Sequence, residues 1–239
     1  MRSYLVVDDN RDFAENLAEI LRDQGDDVVV AQDGREAAQQ VAARRFDAIL
    51  TDMRMPLMGG AELVHEIRRV DPGAAALVIT AHVGDDALEA ARREGLLAVL
   101  SKPVEVPRLL ALLACARRDG LVAVVEDDPR LSDNLCELLR TRGFAAVTAA
   151  SVLETERLGP VRPFCALVDL RVPGGPDGEA MRRLAAKYPG LPMIVVTAFH
   201  DSLPPLPYAG LFAKPFDTPA LLAEVERLHG RRAPVAAPA

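Results

Sequence analysis

Val6-Val7-Asp8-Asp9-Asn10 is answered 118 positions later by Val124-Val125-Glu126-Asp127-Asp128, and the reading of this pair decides the fold. Two apolar β-branched residues running into acids have the form of a buried strand that ends at a polar edge. Each is followed by a helical pattern with landmarks at the same offset: Asn16-Leu17, Leu21-Arg22 and Gly25 in the first copy, Asn134-Leu135, Leu139-Arg140 and Gly143 in the second. The offset becomes 117 at Asp52 and Asp169 and at Thr80 and Thr197, then 112 at Lys102-Pro103 and Lys214-Pro215. A ladder of matches with one slip and one short deletion identifies an internal duplication.

Outward from these pairs, short apolar runs alternate with helical patterns. In the first copy Tyr4–Val7, Val28–Ala31, Ala48–Thr51, Leu77–Thr80 and Ala98–Leu100 have the length and composition of buried strands. Helical patterns fall near residues 12–23, 35–44, 60–70, 85–94 and 105–117. Gly25 stands where a left-handed C-cap is expected, and Arg68-Arg69 and Arg92-Arg93 read as solvated helix ends, where the dipole favours cations. Strict β–α alternation implies right-handed crossovers and a parallel sheet covered on both faces. The sequence thus predicts two α/β domains, residues 1–118 and 120–230, and a disordered Pro/Ala-rich tail over 231–239. The connection at Asp119-Gly120 is too short to serve as a flexible linker.

Half of the 239 residues are hydrophobic and the net charge is −7. That is the balance of a soluble chain, and the wrong sign for a default nucleic-acid or anionic-membrane partner. No run approaches the ~20 apolar residues of a membrane span, and the N-terminus runs into a strand-like segment with no secretory signal. Cys115, Cys136 and Cys165 are odd in number and widely spaced, which suits reduced thiols in the cytoplasm and neither a disulfide framework nor a zinc site. His65, His82, His200 and His229 form no pair at metal-ligand spacing and read as surface or edge residues, His82 alone with a bearing on function.

In an open α/β sheet, ligands bind beyond the carboxyl ends of the strands. In the first copy those ends carry Asp8-Asp9, Asp52, Thr80 and Lys102. A lone strand-end Asp is ordinarily a turn or cap residue, and a lone Lys-Pro an ordinary strand exit. The whole set agreeing in spacing, twice, marks a site. Three carboxylates crowded at one edge repel one another unless a cation is present, and an all-oxygen site that handles phosphate calls for Mg²⁺. A central carboxylate can then attack phosphorus to give an acyl phosphate, with a fixed ammonium and a hydroxyl on the phosphoryl oxygens.

On these residues each copy resembles the response-regulator receiver domain of two-component signalling, the CheY-like superfamily. The resemblance covers nearly the whole chain and implies two doubly wound, five-stranded parallel sheets in tandem, flavodoxin-like with order 2-1-3-4-5. It implies Asp52 as phosphoacceptor, and Asp8, Asp9, Asp52 and the backbone carbonyl of Arg54 as metal ligands. Thr80 would be the switch hydroxyl, and Lys102 the phosphate contact ahead of a usually cis Pro103. In the second copy Glu126, Asp127, Asp169 and the Arg171 carbonyl would hold the metal. Asp169 would be the acceptor, Thr197 the hydroxyl and Lys214 the lysine before Pro215. Ala81 and Ala198 follow the threonines and leave room for a bulky phosphohistidine donor.

The copies also depart from the family. Three positions before each lysine, where receivers commonly carry an aromatic residue, stand Val99 and Leu211. From threonine to lysine is 22 residues in the first copy and 17 in the second. The remnant Asp201–Tyr208 carries three prolines, so the fourth helix of the second copy is expected to be shortened or lost. The loop after Asp169, Val172–Gly178, is one residue longer than its counterpart. The first copy is therefore expected to be the regulated switch, and the second a docking surface, a slower acceptor or both.

The resemblance implies a response regulator without an output domain. A sensor histidine kinase or histidine phosphotransfer domain would donate to Asp52, and Asp169 is a second candidate acceptor. The signal would leave through phosphorylation-dependent contact with a downstream protein, with homodimerisation left open. A phosphorelay intermediate or phosphate sink is the alternative. A hydrolase of the haloacid-dehalogenase type needs a second Asp two residues after the nucleophile, where Arg54 and Arg171 stand, so no turnover enzyme is expected. A DNA-binding regulator needs a helix-turn-helix module, for which nothing in the second copy or the tail provides. Neither nucleic acid nor membrane is expected as a partner.

Overall fold

The computed structural model describes residues 1–81, 88, 91–92, 94–158, 161–199 and 203–231. The chain divides into two compact units, Met1–Asp119 and Gly120–Ala239.

In the first unit the order is β1 (Ser3–Val7), α1 (Arg11–Asp23), β2 (Asp27–Ala31), α2 (Gly34–Ala43), β3 (Ala48–Thr51), α3 (Gly60–Val70), β4 (Ala75–Thr80), β5 (Ala98–Ser101) and α4 (Val106–Cys115). The strands form one parallel sheet in the order β2-β1-β3-β4-β5, the flavodoxin-like arrangement that the sequence implies. β3 and β4 are buried at every position, as strands covered on both faces must be. Leu5, Val7, Phe46, Ile49, Leu63 and Ile67 belong to one core cluster, and Val64, Val78, Leu88, Ala91 and Leu96 to another. Gly25 takes the left-handed conformation expected of it (φ 86°). The helix expected near 85–94 lies mostly outside the described residues, although Leu88, Ala91 and Arg92 are helical and the first two are buried.

Arg68 corrects the reading of its arginine pair. It is not solvated; it is 2% exposed. Its guanidinium donates to the carbonyls of Glu94 (2.7 Å), Pro72 (3.1 Å), Ala74 (2.7 Å) and Gly95 (2.5 Å), tying α3 to the entries of β4 and β5. Burial lowers its pKa to about 10, still charged at neutral pH. Arg69, by contrast, lies at the surface and pairs with Glu66. At the end of the unit Arg118 donates to the Phe46 carbonyl and to the Asp71 carboxylate.

The second unit runs β6 (Leu121–Val125), α5 (Pro129–Thr141), β7 (Ala145–Ala149), α6 (Val152–Arg157), β8 (Cys165–Val168), α7 (Glu179–Lys187), β9 (Met193–Thr197), β10 (Gly210–Ala213) and α8 (Thr218–Gly230). Its sheet has the same parallel order, β7-β6-β8-β9-β10. Residues 203–209, where a fourth helix would stand, hold no helix. Pro204 instead packs onto Gly178, which has φ +76° and where a Cβ would come within 2.7 Å of the proline ring. β10 is correspondingly half open, with Leu211 38% exposed.

His229 is half-buried and meets the rings of Phe144 and Phe164 edge-on at 5.4 and 5.1 Å. His65 pairs with Glu94 at 3.1 Å, and His82 and His200 lie outside the described residues. The three cysteines are free, and burial pushes the Cys136 thiol up to about 11. Of the tail, residues 232–239 lie outside the described residues. Among the described residues no helix is long and apolar enough to cross a membrane.

Candidate functional site at the strand ends

The backbone ladder delivers the site residues one step beyond the paired strands. Val7 stands opposite both Ala31 and Thr51. The next amides, Asp8 N and Asp52 N, donate to Ala31 O (3.2 Å) and Val7 O (2.9 Å), so both acids emerge at the same edge. Thr80 pairs with Ser101, and Lys102 N donates to Thr80 O at 2.9 Å. The second unit repeats each bond: Glu126 N to Ala149 O (3.0 Å), Asp169 N to Val125 O (2.9 Å) and Lys214 N to Thr197 O (3.0 Å). Lys102-Pro103 and Lys214-Pro215 are both cis.

Neighbouring residues fix these groups further. Asp8 Oδ1 accepts from Asn10 N (3.0 Å), and Asn10 in turn caps α1 through Phe13 N (3.1 Å). Glu126 Oε1 and Asp128 do the same for α5. α3 begins against the end of β3: a Cβ on Gly60 would lie 2.3 Å from the Asp52 carbonyl, so only glycine fits.

Acids and a lysine meet at the strand ends of each unit. Asp8, Asp52 and Thr80 are buried, as are Glu126, Asp169 and Thr197, while Asp9 and Asp127 face solvent. Lys102 Nζ lies 2.7 Å from Asp8 Oδ2 and 3.4 Å from Asp52 Oδ1. Lys214 Nζ lies 2.7 Å from Glu126 Oε2 and 2.6 Å from Asp169 Oδ2. Arg54 N and Arg171 N approach the carboxylates of Asp52 and Asp169 at 3.3 Å. Burial raises the pKa of Asp8 above the usual carboxylate range, against the lowering effect of its bond to Lys102. Glu126 is raised in the same way. Burial also works against the charge of Lys214, but its bonds to Asp169 and Glu126 prevail and hold the ammonium above the ordinary lysine value.

These groups fit a divalent cation. Glu126, Asp127 and Asp169 bring carboxylate oxygens within 4.8 Å of one another, the one such acidic cluster among the described residues. In the first unit Asp8 and Asp52 both reach one ammonium, so that edge already gathers positive charge. An all-oxygen donor set of carboxylates suits Mg²⁺.

Known proteins share the sequence pattern of this chain. Residues 4–114 match the response regulator receiver domain. A response regulator receiver protein of Anaeromyxobacter sp. (strain Fw109-5) is 74% identical over 238 residues, covering 100% of both chains. The chain belongs to the response regulator receiver family. The transcriptional regulatory protein ZraR of Escherichia coli O157:H7 is 37% identical over 109 residues, which are 46% of this receiver chain and 25% of ZraR. The match thus spans about a quarter of that regulator's length. The receiver domain of a sensor histidine kinase from Pseudomonas aeruginosa PAO1, solved with a magnesium ion in its active-site cleft, is 29% identical with a TM-score of 0.42. It covers 47% of this receiver chain and 93% of its own.

Two aromatic side chains stack on cations beside the receiver sites. The Phe13 ring lies under Lys102, with Nζ 4.6 Å from its centre. Phe199, exposed next to Thr197, lies under the Arg171 guanidinium at 3.5 Å. Nothing in the local sequence pairs either couple, because each is joined only when separate strands meet at the edge.

Proposed function

We propose that this protein takes a phosphoryl group from a histidine kinase or histidine phosphotransfer domain onto Asp52, and more slowly onto Asp169, and signals through the change in protein contacts that follows. The observation that carries this reading is the constellation built twice: an acid pair, a central aspartate, a buried threonine and an ammonium on neighbouring strand ends. An Asp52 oxygen attacks phosphorus in line. The O–P bond forms as the P–N bond to the donor imidazole breaks, and the electron pair stays on the imidazole nitrogen. Lys102 shifts its ammonium from the carboxylates to the phosphoryl oxygens, and the Thr80 hydroxyl donates to one of them. A bound Mg²⁺, held by Asp8, Asp9, Asp52 and the Arg54 carbonyl, or by Glu126, Asp127, Asp169 and the Arg171 carbonyl, supplies charge that offsets those oxygens.

The acyl phosphate adds nearly two negative charges at the sheet edge, and movement of Thr80 toward it alters the surface around β5 and α4 that a partner meets. The chain turns over no external substrate in this reading; its own carboxylate is what is modified.

Labelling the full chain from radioactive acetyl phosphate with Mg²⁺, alongside Asp52→Ala and Asp169→Ala, tests the proposal. Label lost chiefly in Asp52→Ala supports it, and label carried mainly by Asp169 reverses the division of labour. A parent that takes no label from acetyl phosphate or from a phosphorylated histidine phosphotransfer domain refutes it. Return of label to the phosphotransfer domain would mark a relay intermediate instead of a terminal switch.

A further inference from the structure

The two lysines stand differently against their acceptors. Lys214 Nζ donates to Glu126 and Asp169 at 2.7 and 2.6 Å, so two of its three N–H groups lie on carboxylates. Lys102 Nζ donates to Asp8 at 2.7 Å but stays 3.4 Å from Asp52, without a hydrogen bond to it among the described residues. What the first site has in addition is the Phe13 ring, 4.6 Å from the ammonium. At the matching place in α5 stands Leu131, packed against the core of the second unit, which has no π face to offer.

We propose that Phe13 is a positioning residue that holds the Lys102 ammonium off the carboxylate of Asp52. The inference rests on Asp52 being the acceptor. An aromatic face attracts an ammonium, and the attraction is greater where water is partly excluded. Phe13 and Lys102 line one cleft with Leu17, Ile20, Pro103 and Val106, so the ring and the charge meet on its wall. Shared between Asp8 and the ring, the ammonium stays 3.4 Å from Asp52 Oδ1 and makes no hydrogen bond to it among the described residues, so that oxygen is held less tightly than its Asp169 counterpart. With no ring stacked on its ammonium among the described residues, Lys214 settles between Glu126 and Asp169 and ties up the acceptor's oxygen. The first site is thereby poised and the second held shut by its own lysine. The sites differ also in the extra methylene of Glu126 over Asp8 and in the Arg171–Phe199 pair beside Asp169.

The test uses full-length chains with one acceptor each: Asp169→Asn to isolate the first site and Asp52→Asn to isolate the second. Initial labelling rates are measured across acetyl phosphate concentrations at saturating Mg²⁺, and the Lys102 ammonium is followed by nitrogen-15 NMR. In the first background Phe13→Leu is expected to lower the maximal rate about three- to tenfold and to shift the Lys102 signal, while Phe13→Tyr, which keeps the ring face, retains both. In the second background Leu131→Phe is expected to raise the rate. An unchanged rate in Phe13→Leu, or a fall as large in Phe13→Tyr, overturns the inference. So does a second site freed by Glu126→Asp but not by Leu131→Phe, since the methylene would then account for the lock. If Asp52→Ala kept the parent's label, the acceptor assignment itself would fail and the inference with it. Label lost in Asp52→Ala and unaffected in Phe13→Leu would remove the inference alone.

Discussion

The guanidinium carbon of Arg171 lies 3.5 Å from the centre of the Phe199 ring, joining the residue two past Asp169 to the residue two past Thr197. Asp177 holds the guanidinium as well, accepting from Nε at 3.0 Å. Phe199 N donates to the Thr197 hydroxyl at 3.1 Å. The loops leaving β8 and β9 are therefore strapped together beside Asp169.

Phe199 is 42% exposed, so the strap is a surface cation–π contact. Such a contact is worth ~0.5–1 kcal/mol, or about two- to fivefold in rate if it must break before reaction. In a chain whose acceptor is Asp169 alone (Asp52→Asn), Phe199→Ala is expected to speed labelling from acetyl phosphate by that factor. Kinetics identical to the Phe199 parent would show that the strap does not govern access.

Arg68 makes a prediction about stability instead of chemistry. Four carbonyls from two connections converge on one buried guanidinium. Arg68→Met should cost the first unit about 3–5 kcal/mol, because it leaves those carbonyls without donors in the interior. Arg68→Lys should recover only part, since one ammonium cannot span all four. Hydrogen exchange of β4 amides in urea reads the first unit separately, which a single melting curve of a two-unit chain does not.

The same residue shows how far the sequence could be read. The sheet order and the site were legible because they rest on backbone periodicity and on polar residues that recur at matching strand ends. Arg68 was misread because a basic pair in a last helical turn is usually solvated. The signal that would have placed it was present: Gly60, Leu63, Val64, Ile67 and Arg68 share one buried stripe of α3. The Arg171–Phe199 and Lys102–Phe13 couples left no such trace, since their partners are distant in sequence and meet only through the fold.

Asp8 links the site to pH. Burial sets its folded pKa above its unfolded one, against the opposing bond from Lys102. A carboxyl raised in this way contributes stability while it is protonated, and that contribution is lost as pH rises through the folded value. At neutral pH without metal, Asp8 is therefore a burden, and Asp8→Asn should raise the thermal midpoint in chelator. The gain should vanish as pH falls below 3.8, the ordinary aspartate value, where both chains are uncharged at this position. Mg²⁺ should reverse the order at neutral pH, stabilising the parent by mass action and the variant little. Equal Mg²⁺ responses in calorimetry would remove Asp8 from the ligand set.

The open face of β10 can be tested against its covered counterpart. Val99 of β5 packs beside Leu88 and Ala91, whereas Leu211 at the matching place in β10 is 38% exposed. Val99→Ser should lower the stability of the first unit by about 1–2 kcal/mol, from lost apolar burial and a hydroxyl taken inside. Leu211→Ser should change the second unit by less than ~0.5 kcal/mol, as surface substitutions do. Urea midpoints with unchanged slopes measure both. A cost at Leu211 equal to that at Val99, growing with protein concentration, would mean that a second copy of the chain covers β10 in solution, because only burial makes an apolar side chain on that face worth keeping.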